Sequence, residues 1–172
     1  GQGEKSIIEG NGTTASGTSS HAEGNGTTAS GTSSHAEGIG TIASGTSSHA
    51  EGSYAVASGD RSHAEGGGTT ASGAYSHAEG GSTQATGGQS HAEGLQTTAK
   101  HRSQHVFGEC NIDDPSLNGP NDRGNYVEIV GNGIIASTTS NARTLDWSGN
   151  EVLAGNLTIG GTITSNGQQI LP

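Results

Sequence analysis

The pentapeptide Ser-His-Ala-Glu-Gly begins at Ser20, Ser34, Ser48, Ser62, Ser76 and Ser90, and every step is 14 residues with no insertion. The register continues in degraded form through Ser6-Ile7-Ile8-Glu9-Gly10 before it and Gln104-His105-Val106-Phe107-Gly108 after it. A fixed short period over more than a hundred residues is the mark of a solenoid, in which each unit packs only on its neighbours. The period also decides how the composition is read. With 32 Gly in 172 residues, 27% apolar and 3% aromatic residues, the chain cannot build a large conventional core, and without the spacing it would read as disordered. Collagen is excluded because Gly is not every third residue and Pro is only 3.

Each 14-residue unit divides into two sevens. The first is S-H-A-E-G-x-x. The second is T-T-A-S-G-x-x, as in Thr13 to Gly17, Thr27 to Gly31 and Thr69 to Gly73, with variants such as Thr41-Ile42-Ala43-Ser44-Gly45 and Ala55-Val56-Ala57-Ser58-Gly59. Five extended residues followed by a short Gly-containing bend make a strand and a turn. Two such pieces form one flattened coil, and stacked coils pair in parallel. In extended chain, places 1, 3 and 5 share one face. That face carries Ser or Thr, Ala and Gly, small enough to fill a thin interior. Places 2 and 4 point outward: His and Glu on one sheet, Thr, Ile, Val or Gln with Ser or Thr on the other.

The fold class expected is therefore all-β: a parallel β-roll of 14-residue coils over residues 1–108, followed by a small C-terminal β module over 109–172. Residues 109–125 are rich in Asn, Asp, Pro and Gly and read as a loop. Tyr126 to Val130 and Ala142 to Trp147 read as strands, and Ser148-Gly149-Asn150 as a hairpin turn into Glu151 to Ala154. Asn156-Leu157-Thr158-Ile159 and Thr162-Ile163-Thr164 alternate again. Trp147 is expected as a buried anchor of this module, which would lock three chains together. Cys110, without a partner in the sequence, is expected to be a free thiol.

A single roll buries little apolar surface, while ordering its backbone costs roughly 1–2 kcal/mol per residue. One outward sheet is thus expected to pack on other copies of the chain. The better candidate carries His21, His35, His49, His63, His77 and His91 in one column and Glu23, Glu37, Glu51, Glu65, Glu79 and Glu93 in the next. These twelve residues are expected to form a ladder at the axis of a homotrimer. The preferred chemistry is a polar ladder in which each His donates to a Glu of its own or a neighbouring chain, or to trapped water. Mutual pairing would raise the His pKa values and lower those of Glu, placing maximal stability between about pH 4.3 and 6.5. Three imidazoles around an axis could instead ligate a transition metal. No catalytic or cofactor-binding residue is assigned, because identical sites repeated along a rod are a structural signature, and an enzyme is not expected.

The pattern S-x-A-x-G-x-x-x-x-A-S-G-x-x resembles the head repeat of trimeric autotransporter adhesins. The resemblance implies a left-handed parallel β-roll that trimerises about a common axis. In that family places 2 and 4 of the first pentapeptide are commonly Val and Ile; here they are His and Glu. SHAEG variants also resemble repeats in bacteriophage tail fibres and tail spikes. The stretch Ile129-Val130-Gly131-Asn132-Gly133, followed by Ser140-Asn141-Ala142-Arg143-Thr144-Leu145-Asp146-Trp147-Ser148-Gly149-Asn150, is similar to a module of phage tail proteins. These likenesses imply a virion structural protein: the shaft of a tail fibre or tail spike, extracellular, partnered by other tail proteins and by a host cell-surface glycan or protein. The alternative is the head of a bacterial cell-surface adhesin. The variable outward places Ile39, Tyr54, Arg61, Tyr75 and Leu95 are the expected local contact points.

The net charge of −10, with Lys and Arg scattered, argues against nucleic-acid binding. No apolar stretch approaches 18 residues, so no membrane insertion by a helix is expected. With no Met at its start, the chain reads as a processed piece of a longer protein.

Overall fold

The computed structural model describes residues 2–135, 138–157, 163–165 and 168–171. Among them there is no helix, and the architecture is the expected solenoid. The long strands are β1 (Ile7–Asn11), β3 (His21–Asn25), β5 (His35–Ile39), β7 (His49–Ser53), β9 (His63–Gly67), β11 (His77–Gly81), β13 (His91–Leu95) and β15 (His105–Glu109). Short strands alternate with them: β2 (Thr14–Ala15), β4 (Thr28–Ala29), β6 (Ile42–Ala43), β8 (Val56–Ala57), β10 (Thr70–Ala71), β12 (Gln84–Ala85) and β14 (Thr98–Ala99). Long strands pair only with long and short only with short, all in parallel, giving the two faces of a flattened coil. The register is an unbroken shift of 14, as in His21↔His35 and Ala22↔Ala36.

Why the coil is so thin is visible in its core. Ala22, Ala36, Ala50, Ala64, Ala78 and Ala92 from one face meet Ala15, Ala29, Ala43, Ala57, Ala71, Ala85 and Ala99 from the other, all fully buried. Beside them Ser20 is buried with its Oγ donating to the Gly17 carbonyl at 2.7 Å, and its counterparts repeat that bond. Thr41 is buried with its Oγ1 donating to the Glu37 carbonyl. The glycines are as constrained as the alanines. Gly24 has φ of 110°, and a Cβ there would collide with the Gly38 carbonyl oxygen of the next coil.

Two details of the coil differ from the sequence expectation. The second half of each unit holds a two-residue strand instead of five extended residues, because Ser16 N and Gly17 N both turn to the Ala29 carbonyl (2.9 and 3.3 Å) and end the ladder. The corners also do not depend on Gly alone. One left-handed corner column runs Gly12, Gly26, Gly40, Tyr54, Gly68, Ser82, Gln96, Cys110. The other contains no glycine at all: Lys5, Ser19, Ser33, Ser47, Arg61, Tyr75, Gln89 and Ser103, with φ between 56° and 59°. This conformation costs a non-glycine residue roughly 1–2 kcal/mol. It is held because the corner amide still reaches the previous coil, as in Ser33 N to the Thr18 carbonyl at 2.8 Å.

The repeat ends at Glu109, but its sheet does not. Residues 110–125 cross the open end of the roll, and β16 (Tyr126–Asn132) then pairs in parallel with β15, placing Ile129 beneath Val106 in the buried column. From there the sheet turns antiparallel through β17 (Asn141–Asp146) and β18 (Glu151–Leu153), joined by the expected turn. A two-stranded pair, β19 (Ile163–Ser165) and β20 (Gln168–Leu171), follows. Of the last alternating segments, Thr158-Ile159 and Thr162 lie outside the described residues. Trp147 is half-buried in one chain instead of fully buried. Its Nε1 donates to the Gly124 carbonyl at 3.1 Å, and the Arg123 guanidinium lies 4.4 Å from its ring centre. Cys110 is a buried free thiol with Sγ 3.3 Å from Gln96 Oε1.

The crossing segment completes the roll with side chains. In a regular coil the Gln84 amide donates to the Thr97 carbonyl of the next coil. One coil later no such carbonyl exists, and Thr98 N donates to Asn111 Oδ1 at 2.8 Å, while Lys100 N donates to Gln104 Oε1 at 2.8 Å. Gln104 stands where the repeat has Ser. Its Nε2 donates to Asp114 Oδ2, which also accepts from Tyr126 N. His101 stands where the repeat has Gly, and its imidazole fills the space that another coil would occupy. All four of these side chains are buried.

Candidate functional site

In-register parallel pairing sets identical residues directly above one another, so place 2 of the first pentapeptide becomes a column of imidazoles. His21, His35, His49, His63, His77 and His91 stack with ring centroids 4.7–4.8 Å apart and interplanar angles of 3–8°. The spacing is that of the strands themselves. The column is one residue longer than the SHAEG motif indicates: His105 joins it 4.9 Å below His91. Glu23, Glu37, Glu51, Glu65, Glu79 and Glu93 form the neighbouring column, headed by Glu9, which pairs with Glu23. The signal for both extensions lay in the degraded flanking pentapeptides. The columns end in different residues: Ile7 pairs above His21, and Glu128 pairs below His105.

Within one chain the two columns do not make the hydrogen bonds expected of them. His63 Nε2 lies 3.5 Å from Glu51 Oε1, His77 Nε2 3.5 Å from Glu65 Oε1 and His91 Nε2 3.3 Å from Glu79 Oε1. In the first coils His21 and His35 face Glu23 and Glu37 of their own strand at 3.7 and 3.8 Å. These are longer than ordinary N–H···O bonds. Every Nε2 of the column is nevertheless shielded from solvent and without a hydrogen-bond partner among the described residues. The remaining surface of these side chains is about a third exposed.

At three imidazoles, His49, His77 and His105, the electrostatics run opposite to the expectation of raised pKa values. Burial holds His49 below the ordinary imidazole value, and its stacked neighbours His63 and His35 push the same way; Glu51 and Glu37 oppose but do not prevail. The same order of causes lowers His77 and His105. A stack of imidazoles 4.7 Å apart disfavours protonation of any one by its neighbours. Adjacent charges about 5 Å apart repel by about 1 kcal/mol even at the dielectric of water.

The groove beside the Glu column is floored by Gly10, Gly24, Gly38 and Gly52. The opposite face carries Thr14, Thr28, Ile42, Val56, Thr70, Gln84 and Thr98 in its outward column. The five expected contact points lie at the two edges of the coil and are not brought together. Ile39 and Tyr54 share one edge and are exposed. Arg61 and exposed Tyr75 share the other, with Arg61 Nη1 donating to the Tyr75 hydroxyl at 3.0 Å. Leu95 closes β13 and is half-buried.

Comparison with protein families agrees with this geometry over part of the roll. Two successive segments, residues 9–34 and 36–62, match the YadA head domain repeat. No curated protein matches the chain. These two segments are similar to that repeat and lie on an all-β parallel solenoid with His and Glu in its outward columns.

Proposed function

We propose that the chain is a rod-forming head segment of an extracellular adhesin and works as a homotrimer with its His and Glu columns turned towards the three-fold axis. The role is mechanical and adhesive, not catalytic. The observation that carries the reading is the contrast between the two faces. One repeats His and Glu without variation from His21 to Glu93 and leaves shielded, unpartnered Nε2 atoms. The other varies between Thr, Ile, Val and Gln, as a solvated face can. The match to the YadA head domain repeat supports the same reading. Light scattering on the purified chain tests it. Three chains per particle are expected, and a well-folded single-chain particle would overturn the axial placement.

A second reading is the shaft of a phage tail fibre or tail spike, located in the virion tail with other tail proteins as partners. It is favoured by the segment Ser140–Asn150, which builds β17 and its turn and resembles a phage tail module. Both readings take a host or target cell-surface glycan or protein as the final partner. Gold-labelled antibody against the chain separates them: label on the bacterial surface supports the adhesin, label on virion tails the fibre.

A further inference from the structure

The His and Glu columns carry a second property that does not depend on how many chains assemble. We propose that the ladder is a linear array of divalent transition-metal sites, each built from a His Nε2 and the carboxylate of the Glu one coil before it. The pairs are His63 with Glu51, His77 with Glu65 and His91 with Glu79, at 3.5, 3.5 and 3.3 Å. These separations are long for a hydrogen bond and short for unrelated groups. They fit two ligands of one tetrahedral ion: bonds of about 2.0–2.1 Å to nitrogen and oxygen set the ligands about 3.3–3.4 Å apart.

Two further features point the same way. The Nε2 atoms are shielded and unpartnered, so no protein hydrogen bond has to be broken for them to bind. In sets such as His77, Glu79 and His91 the donor atoms all lie within 4.8 Å of one another. Stacking also limits each site. Rings 4.7–4.8 Å apart would leave an ion midway between them about 2.4 Å from each nitrogen, too long for a bond to zinc. One chain thus gives one imidazole and a carboxylate per ion. Water or the same layer of another copy completes the shell. The mixed nitrogen and oxygen donors select zinc, cobalt or nickel over magnesium or calcium, which prefer oxygen alone.

The test uses the full chain, stripped with chelator and titrated with zinc chloride and, separately, magnesium chloride by calorimetry at pH 7.5. Several zinc ions per chain are expected, with a raised melting temperature and no response to magnesium. X-ray absorption of the zinc-loaded chain should show both imidazole and carboxylate in the shell. The combined variant Glu51→Gln, Glu65→Gln, Glu79→Gln should lose the central ions and weaken zinc binding there at least tenfold. Absence of zinc binding, a shell without carboxylate, or unchanged binding in a folded variant would overturn the proposal. Light scattering on the same samples keeps it separate from trimerisation. Zinc binding by single chains upholds the metal sites and sinks the trimer; a trimer indifferent to zinc does the reverse.

Discussion

The coils from β1 to β15 and the closing segment of residues 110–126 solve one problem in two ways. Inside the roll the strand ladders run from the backbone of one coil to the backbone of the next, so the side chains there need only be small. On the short-strand face no strand follows β14, and Asn111, Gln104 and Asp114 supply missing partners from side chains. The consequence is opposite tolerance. The repeat accepts no added atoms at places such as Gly24 and Gly38, where a Cβ would meet the carbonyl oxygen of the next coil. The closing segment has individual residues carrying several bonds each, and it meets the large buried groups His101, Gln104 and Ile129 at the end of the roll.

The largest effect should come from adding one methyl inside the repeat. Gly38→Ala places a Cβ against the Gly52 carbonyl oxygen at a residue with φ of 106°. A loss of about 4 kcal/mol or more is expected, since both backbones must move. Urea unfolding measures it, and a loss below about 1 kcal/mol would mean the coils are not so tightly stacked.

Asp114→Ala attacks the other region. It removes the acceptor of Gln104 Nε2, Tyr126 N and Ser116 N together. About 2–4 kcal/mol is expected from stranding buried donors. Amide exchange should quicken in β14 and β16 while β3 and β5 stay protected, because solenoid units couple chiefly to their neighbours. Uniform quickening along the rod would contradict that division.

A smaller effect should follow pH and come from the repeat and its last coil alone. The folded-state pKa values of His49, His77 and His105 lie below the unfolded value of about 6.5. Between the two values the unfolded chain binds more protons, so stability falls as pH drops. In chelator-treated buffer the melting temperature should be level above about pH 7 and decline from about pH 6.5 to 5. A rise over that interval would restore the raised pKa values that pairing with Glu suggested.

The smallest effect sharpens the first. Gly149→Ala also alters a glycine of positive φ, 85°, but a Cβ there meets nothing within 4 Å. Only the conformational term of about 1 kcal/mol remains. The difference between the Gly38 and Gly149 variants isolates the cost of close stacking.

Spacing made much of this legible. Equal steps of 14 demand the parallel register, and alternation then puts Ala inside with His and Glu outside. The closing strands from Tyr126 to Leu153 and their turn were also readable from alternation and turn residues. The length of the ladder was less so: His105 and Glu9 belong to it although their pentapeptides are degraded. The non-glycine corners were hidden because a Ser-Ser pair carries no left-handed signature; the cross-coil hydrogen bond imposes it. The role of Gln104, Asn111 and Asp114 was hidden too, since it depends on which backbone groups the last coil leaves open.

What the sequence by itself determined is the lattice: which residues repeat, how far apart, and on which face. Periodicity alone suffices for that, because identical units with identical contacts can only stack in register. The tertiary structure decided the chemistry of that lattice. The separation of imidazole from carboxylate, the direction of the pKa values of His49, His77 and His105 and the closure of the open end all depend on the distances between stacked groups and on burial. Neither quantity is carried by residue order.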